Sequence, residues 1–145
     1  VAVNTTRQGA NFELDVLHYL TGCECATTRK TPVHVDWHGF GYDCLRSSGS
    51  RGAVDVVAVG QFIPNRTFHP NILLFIQCKI TNPNIGPADR NRVQDLATRA
   101  GAVPLVAYRA KDTTTGRMRP HFRLLTGPGP KDWLTWEPVE GAEIR

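Results

Sequence analysis

Two apolar runs lying close together in the chain restrict its fold more than any other feature. Val54 to Val59 reads VDVVAV and Ile72 to Ile80 reads ILLFIQCKI, both rich in β-branched and bulky aliphatic residues. Near-continuous runs of this kind suit strands covered on both faces, so they predict the centre of a sheet packed between layers. Each carries polar residues at one end: Asp55 opens the first, and Gln77 and Lys79 close the second. Side chains alternate along a strand, so Gln77 and Lys79 point to one face and Cys78 to the other. If the two strands are neighbours, they bring a carboxylate, an amide oxygen and an ammonium to one place. That set suits a metal ion with a phosphate beside it.

The rest of the chain supplies the layers. Arg7 to Leu20 has helical periodicity, with Phe12, Val16, Leu17 and Leu20 on one face, Thr6 as N-cap and Gly22 as stop. Residues 1–6 read as a loose arm. Glu13 borders the apolar stripe, where it reaches water or meets a positive partner, because burying a lone carboxylate is costly. Residues 23–40 read as an irregular insertion. Tyr42 to Ser47 reads as a short strand, and Ser47 to Gly52 as a flexible, polar turn. Residues 60–70 and 81–87 are loops. A helix is predicted from Ala88 to Ala100, opened by Pro87 and stopped by Gly101, and Val103 to Tyr108 follows as a strand. A strand–helix–strand crossover results. Residues 111–119 form a basic, threonine-rich loop, and His121 to Leu125 form the last strand. Residues 126–145 are a tail whose Trp133 and Trp136 pack across the sheet or serve a partner. The order is helix, three strands, helix, two strands, in a single α/β domain spanning 1–145.

Charge and cysteine content narrow the setting. Seventeen basic against thirteen acidic residues leave a formal charge of +4, a mild pointer to a polyanionic partner. Lys30, Arg90, Arg92, Arg117 and Arg119 are available as phosphate contacts or as ordinary surface charge. Four cysteines at irregular spacing do not make a disulfide framework, which implies a reducing, intracellular setting. Cys78 reads as a small core residue. Cys23, Cys25, His34, His38 and Cys44 are the right residue types for a structural zinc, although their spacing matches no familiar zinc module. No apolar run approaches the ~20 residues that cross a bilayer, and no signal-peptide pattern opens the chain, so a cytoplasmic protein without membrane contact is expected.

Four stretches, in order and at matching spacing, carry a resemblance. Arg7-Gln8-Gly9-Ala10-Asn11-Phe12-Glu13 is similar to a basic-x-Gly-Ala-x-x-Glu helix start. Leu45-Arg46-Ser47-Ser48-Gly49-Ser50 leading to Val54-Asp55 is similar to an Arg-Ser-x-Gly-Ser loop with its first catalytic strand. Leu74 to Lys79 is similar to a second catalytic strand, and Arg90 to Tyr108 to the helix and strand that follow. Together they resemble the archaeal-type Holliday-junction resolvases and their phage-borne relatives, within the PD-(D/E)xK nuclease superfamily. Two departures stand out: Gln77 replaces the family's usual Glu, and the segment 23–40 is longer than the usual link.

The resemblance implies a restriction-endonuclease-like fold, with a central mixed sheet flanked by helices. It implies Glu13, Asp55, Gln77 and Lys79 as catalytic residues. Mg²⁺, with Mn²⁺ as substitute, would be held by Glu13, Asp55, the amide oxygen of Gln77 and the backbone carbonyl of Cys78. Arg7, Arg46, Ser48, Ser50 and Arg51 would contact DNA, the last four from a mobile loop. The implied activity is paired, symmetric cleavage of four-way DNA junctions by a homodimer, in the host cytoplasm if the chain is phage-encoded. Competing readings are a related nuclease cutting flaps, branched or duplex DNA, and a DNA-binding module that no longer cleaves. An RNA-processing enzyme draws support from charge alone.

Overall fold

A computed structural model describes residues 5–21, 42–46, 53–60 and 73–138. Helix α1 (Thr5–Thr21) precedes three strands: β1 (Tyr42–Arg46), β2 (Val56–Gly60) and β3 (Leu73–Cys78). Helix α2 (Pro87–Ala100) follows, then β4 (Val103–Lys111), β5 (Met118–Leu125) and β6 (Trp133–Trp136). All six strands form one sheet in the order β1-β2-β3-β4-β5-β6. Only the β3–β4 pair is parallel, with α2 as its crossover, and the other pairs are antiparallel. The protein is therefore α/β, with a mixed sheet between two helices.

Strand alternation separates two cores. Val56, Ala58, Leu74, Ile76, Leu105, Ala107 and Phe122 pack with Phe12, Val16 and Leu20 of α1. Their neighbours Val106 and Leu125 point the other way and pack with Val93 of α2, together with Ala53 and Ile85. β3 and β4 are thus covered on both faces, as their apolar runs demand. Among the described residues, no helix is long and apolar enough to cross a membrane.

Helix α2 starts and stops as its sequence signals. Pro87 occupies the first turn after Gly86, and Gly101 closes the helix at φ 67°, a left-handed conformation that glycine takes without a Cβ penalty. Helix α1 begins earlier than its capping pattern suggests. Thr5 is already helical, so Thr6 lies in the first turn and is not the cap, and residues 5 and 6 leave the expected arm. Threonine is a tolerable helix residue as well as a cap, and such boundaries shift readily by a residue or two.

Three further expectations need correction. β4 continues past Tyr108 to Lys111, and β5 begins at Met118, so the basic loop shrinks to a turn. His121 to Leu125 is not the last strand, because residues 133–136 of the tail pair antiparallel with β5 as β6. Trp136 packs edge-on against Phe122, with ring centroids 5.5 Å apart, which makes the tail part of the core. Arg90 is no surface cation. It is 4% exposed and donates from Nη1 to the carbonyls of Asp132 (3.1 Å) and Gly127 (3.3 Å), beside a Gln94-to-Gly127 bond of 2.7 Å. A guanidinium carries enough donors to satisfy several orphan carbonyls of one turn, and here it pins the β5–β6 connection to α2.

Candidate active site

The antiparallel register of β2 on β3 ends at the Val56–Ile76 pair, and Asp55 stands one residue outside that ladder. The backbone N–H of Asp55 donates to Ile76 O at 2.8 Å, and the N–H of Cys78 donates to Asp55 Oδ2 at 2.8 Å. Asp55 thus replaces the next ladder bond with its own carboxylate, which fixes that carboxylate against the end of β3. On the other edge of β3, Lys79 N–H donates to Ala107 O at 2.8 Å, so the backbone remains held one residue past the strand.

Alternation settles which way the polar residues look. Cys78 and Ile80 pack against the α1-side core, which puts Gln77 and Lys79 on the α2 side. Gln77 is 8% exposed, and its Oε1 is buried with no hydrogen-bond partner among the described residues. An unpaired buried amide oxygen costs roughly 1–3 kcal/mol, so it calls for a donor or a cation as its partner. A hard cation that takes oxygen ligands is such a partner, and the donor set of Asp55 and Gln77 fits it.

Burial raises the pKa of Asp55 from its ordinary value; the Cys78 N–H and the Lys79 ammonium oppose that rise, and the Glu13 and Asp89 carboxylates add to it. These charges therefore act on one another at this end of the sheet. Asp89, in the first turn of α2, was not singled out by sequence reasoning. The Pro-Ala-Asp start of a helix after a catalytic-looking strand is the available signal, and it reads equally well as ordinary helix capping chemistry.

Glu13 comes from α1 and is met by a cation. Arg46 Nε stands 2.8 Å from Glu13 Oε2, with 34% of the arginine side chain and 15% of the glutamate side chain exposed. Two residues assigned separate roles are therefore one ion pair, at the end of β1. The thiol of Cys78 is held well above its ordinary pKa, first by burial and then by the Asp55 and Glu13 charges, with Arg46 opposing. It is an inert wall of the site.

The other sequence candidates divide plainly. Ser48, Ser50 and Arg51 lie outside the described residues, as do Lys30, Cys23, Cys25, His34 and His38. Arg7 belongs to the first turn of α1, and its side chain is likewise outside them. Cys44 packs against the α1-side core, and burial pushes its thiol up to about 12, a poor state for a thiolate ligand. Arg119 is engaged by Asp112 at 2.7 Å and by Glu137 at 3.3 Å, while Arg92 and Arg117 are exposed. Among the described residues, no three His, Cys, Asp or Glu side chains gather closely enough to hold a metal ion. At this end of the sheet Asp55 and Glu13 supply carboxylates, Glu13 from the α1 side, whereas the Gln77 amide stands on the α2 side.

No family model matches the chain, and no curated protein matches it. Its functional reading therefore rests on residues and geometry.

Proposed function

We propose that the chain is a metal-dependent, structure-selective DNA endonuclease with a restriction-endonuclease-like fold, resolving four-way junctions as a homodimer in the cytoplasm. One observation carries the reading: a partly desolvated carboxylate, Asp55, is held at 2.8 Å by the N–H of Cys78 at the end of β3, the residue between Gln77, whose buried Oε1 has no partner among the described residues, and Lys79.

Hydrolysis of a phosphodiester needs an activated water, a sink for charge on the pentavalent phosphate, and help for the leaving oxygen. Bound Mg²⁺ supplies charge stabilisation and lowers the pKa of a coordinated water. Asp55 would be its principal ligand, with the Cys78 carbonyl, with Gln77 Oε1 offered from the α2 side of the sheet, and with Glu13 reaching it from the α1 side directly or through a water. Lys79 orients the attacking water and stabilises the phosphate charge. Arg46, at the head of the Ser47–Gly52 segment, pairs with a backbone phosphate, and its release from Glu13 couples substrate arrival to the site. Two symmetric cuts need two active sites at a fixed separation, which a two-fold dimer provides. Recognition would then depend on phosphate geometry and DNA shape.

A second reading has an observation of its own. Glu13 is tied to Arg46 and Gln77 is uncharged, as expected of a DNA-binding module that no longer cuts. Labelled four-way junction, flap and linear duplex, each incubated with Mg²⁺ or Mn²⁺, separate the possibilities. Paired symmetric nicks confined to the junction support the resolvase. Cutting of flaps or plain duplex supports a broader nuclease, and binding without cutting supports the module.

A further inference from the structure

The α2-side face of the sheet continues beyond the candidate site into a cationic and aromatic stripe. Past the Cys78–Ala107 pair, the Lys79 N–H bond to Ala107 O brings Lys79 alongside Tyr108. Tyr108 pairs with His121 across β4 and β5, and the two rings stack with centroids 5.6 Å apart. Arg123, two residues on and on the same face, lies over the Tyr108 ring at 5.5 Å and over the Trp133 ring of β6 at 3.7 Å. His121 is fixed by its Nε2 contact to Ala110 O at 3.2 Å.

Arg123 differs from the other partnered arginines. Arg46, Arg99 and Arg119 pair with carboxylates, and Arg90 with carbonyls. Arg123 has no such partner among the described residues: its Nε is buried without an acceptor, and two aromatic faces alone offset its charge. Ring faces stabilise a guanidinium and hold its plane, yet they leave its donors unused. A partly buried, oriented cation with free donors is built for an anion, and a phosphate matches its fork geometry. Arg123 lies two strands from Gln77, a span of ~10 Å at ordinary strand spacing, with Val106, buried under α2, at the register position between them.

We infer that Arg123, held between Tyr108 and Trp133, is a second phosphate-binding point that grips the DNA strand beside the one being cut at Asp55. The inference rests on the nuclease reading for its substrate, but its test does not. Binding of labelled four-way junction is measured in EDTA over a salt series, for the wild type, Arg123→Gln and Arg123→Lys, with melting curves to confirm that each folds. Loss of one phosphate contact should weaken Arg123→Gln binding about tenfold and reduce the magnitude of the log–log salt slope by about 1, while Arg123→Lys keeps most of the slope. In the unmodified protein, the Arg123 Nε–H resonance should shift as junction is added. A folded Arg123→Gln with wild-type affinity and slope, or an Arg123 resonance that does not move, overturns the inference. Arg123-dependent binding by a wild type that cuts nothing in Mg²⁺ upholds it and removes the nuclease reading instead.

Discussion

Arg46 Nε lies 2.8 Å from Glu13 Oε2, joining the end of β1 to the middle of α1 over the same sheet end that carries Asp55. The pair explains how a carboxylate tolerates a place bordering the apolar face of α1: its charge is met on the spot. A double-mutant cycle of Glu13→Gln and Arg46→Met should give a coupling of about 1 kcal/mol in urea denaturation, as for a partly exposed ion pair. Coupling near zero would mean that the two side chains do not hold each other in solution.

Asp55 opposes stability where it is ionised. Its raised pKa means that the folded state binds the proton more tightly than the unfolded state. That contribution is fully present below the ordinary carboxylate value of ~3.9 and is lost as pH rises through the folded value. Asp55→Asn keeps an acceptor for the Cys78 N–H and removes the charge. The variant should melt a few degrees above wild type at pH 7, and the difference should vanish near pH ~3. Thermal melts across pH check the sign: a variant less stable at pH 7 would show that the ionised form is favoured by the fold.

The orphan oxygen of Gln77 makes opposite predictions for two substitutions. Gln77→Leu removes a buried, unpaired polar group and should hold or raise stability in metal-free buffer while abolishing metal-induced stabilisation. Gln77→Glu places a carboxylate in a buried position that lacks a partner, so it should destabilise the metal-free protein and lower the half-saturating Mg²⁺ concentration for cleavage by about tenfold. Calorimetric melts with and without Mg²⁺ read both effects. Unchanged metal dependence in Gln77→Glu would remove Gln77 from the metal site.

Trp136 tests whether the tail belongs to the fold. It is buried and packs on Phe122, which itself stacks on Tyr19 of α1 at 6.1 Å. Trp136→Ala should cost roughly 3–5 kcal/mol in urea denaturation, a large share of a typical domain's stability. A cost below about 1 kcal/mol would return residues 133–136 to the status of an appendage.

The helices and the central strands were legible because each rests on local pattern. Apolar periodicity marks α1 and α2, and two buried runs mark β2 and β3, which pair antiparallel. What the sequence hid depends on distant partners. β6 is four residues long and follows the turn-forming Thr126-Gly-Pro-Gly-Pro130, so nothing local distinguishes it from a tail. The end of β4 alternates charged residues with half-buried ones, a pattern that locally resembles a polar loop. Arg90 reads as a surface cation until the β5–β6 carbonyls that it satisfies are placed beside it. The Arg46–Glu13 pair spans 33 residues and was invisible for the same reason.

The most direct test is cleavage of an end-labelled four-way junction by the wild type and by Asp55→Asn, in Mg²⁺ and again after chelation. The wild type should give paired, symmetric nicks that disappear with the metal. Asp55→Asn should bind the junction and leave it intact. Nicking by Asp55→Asn at the wild-type rate, or wild-type nicking that survives chelation, would contradict a metal-dependent site centred on Asp55.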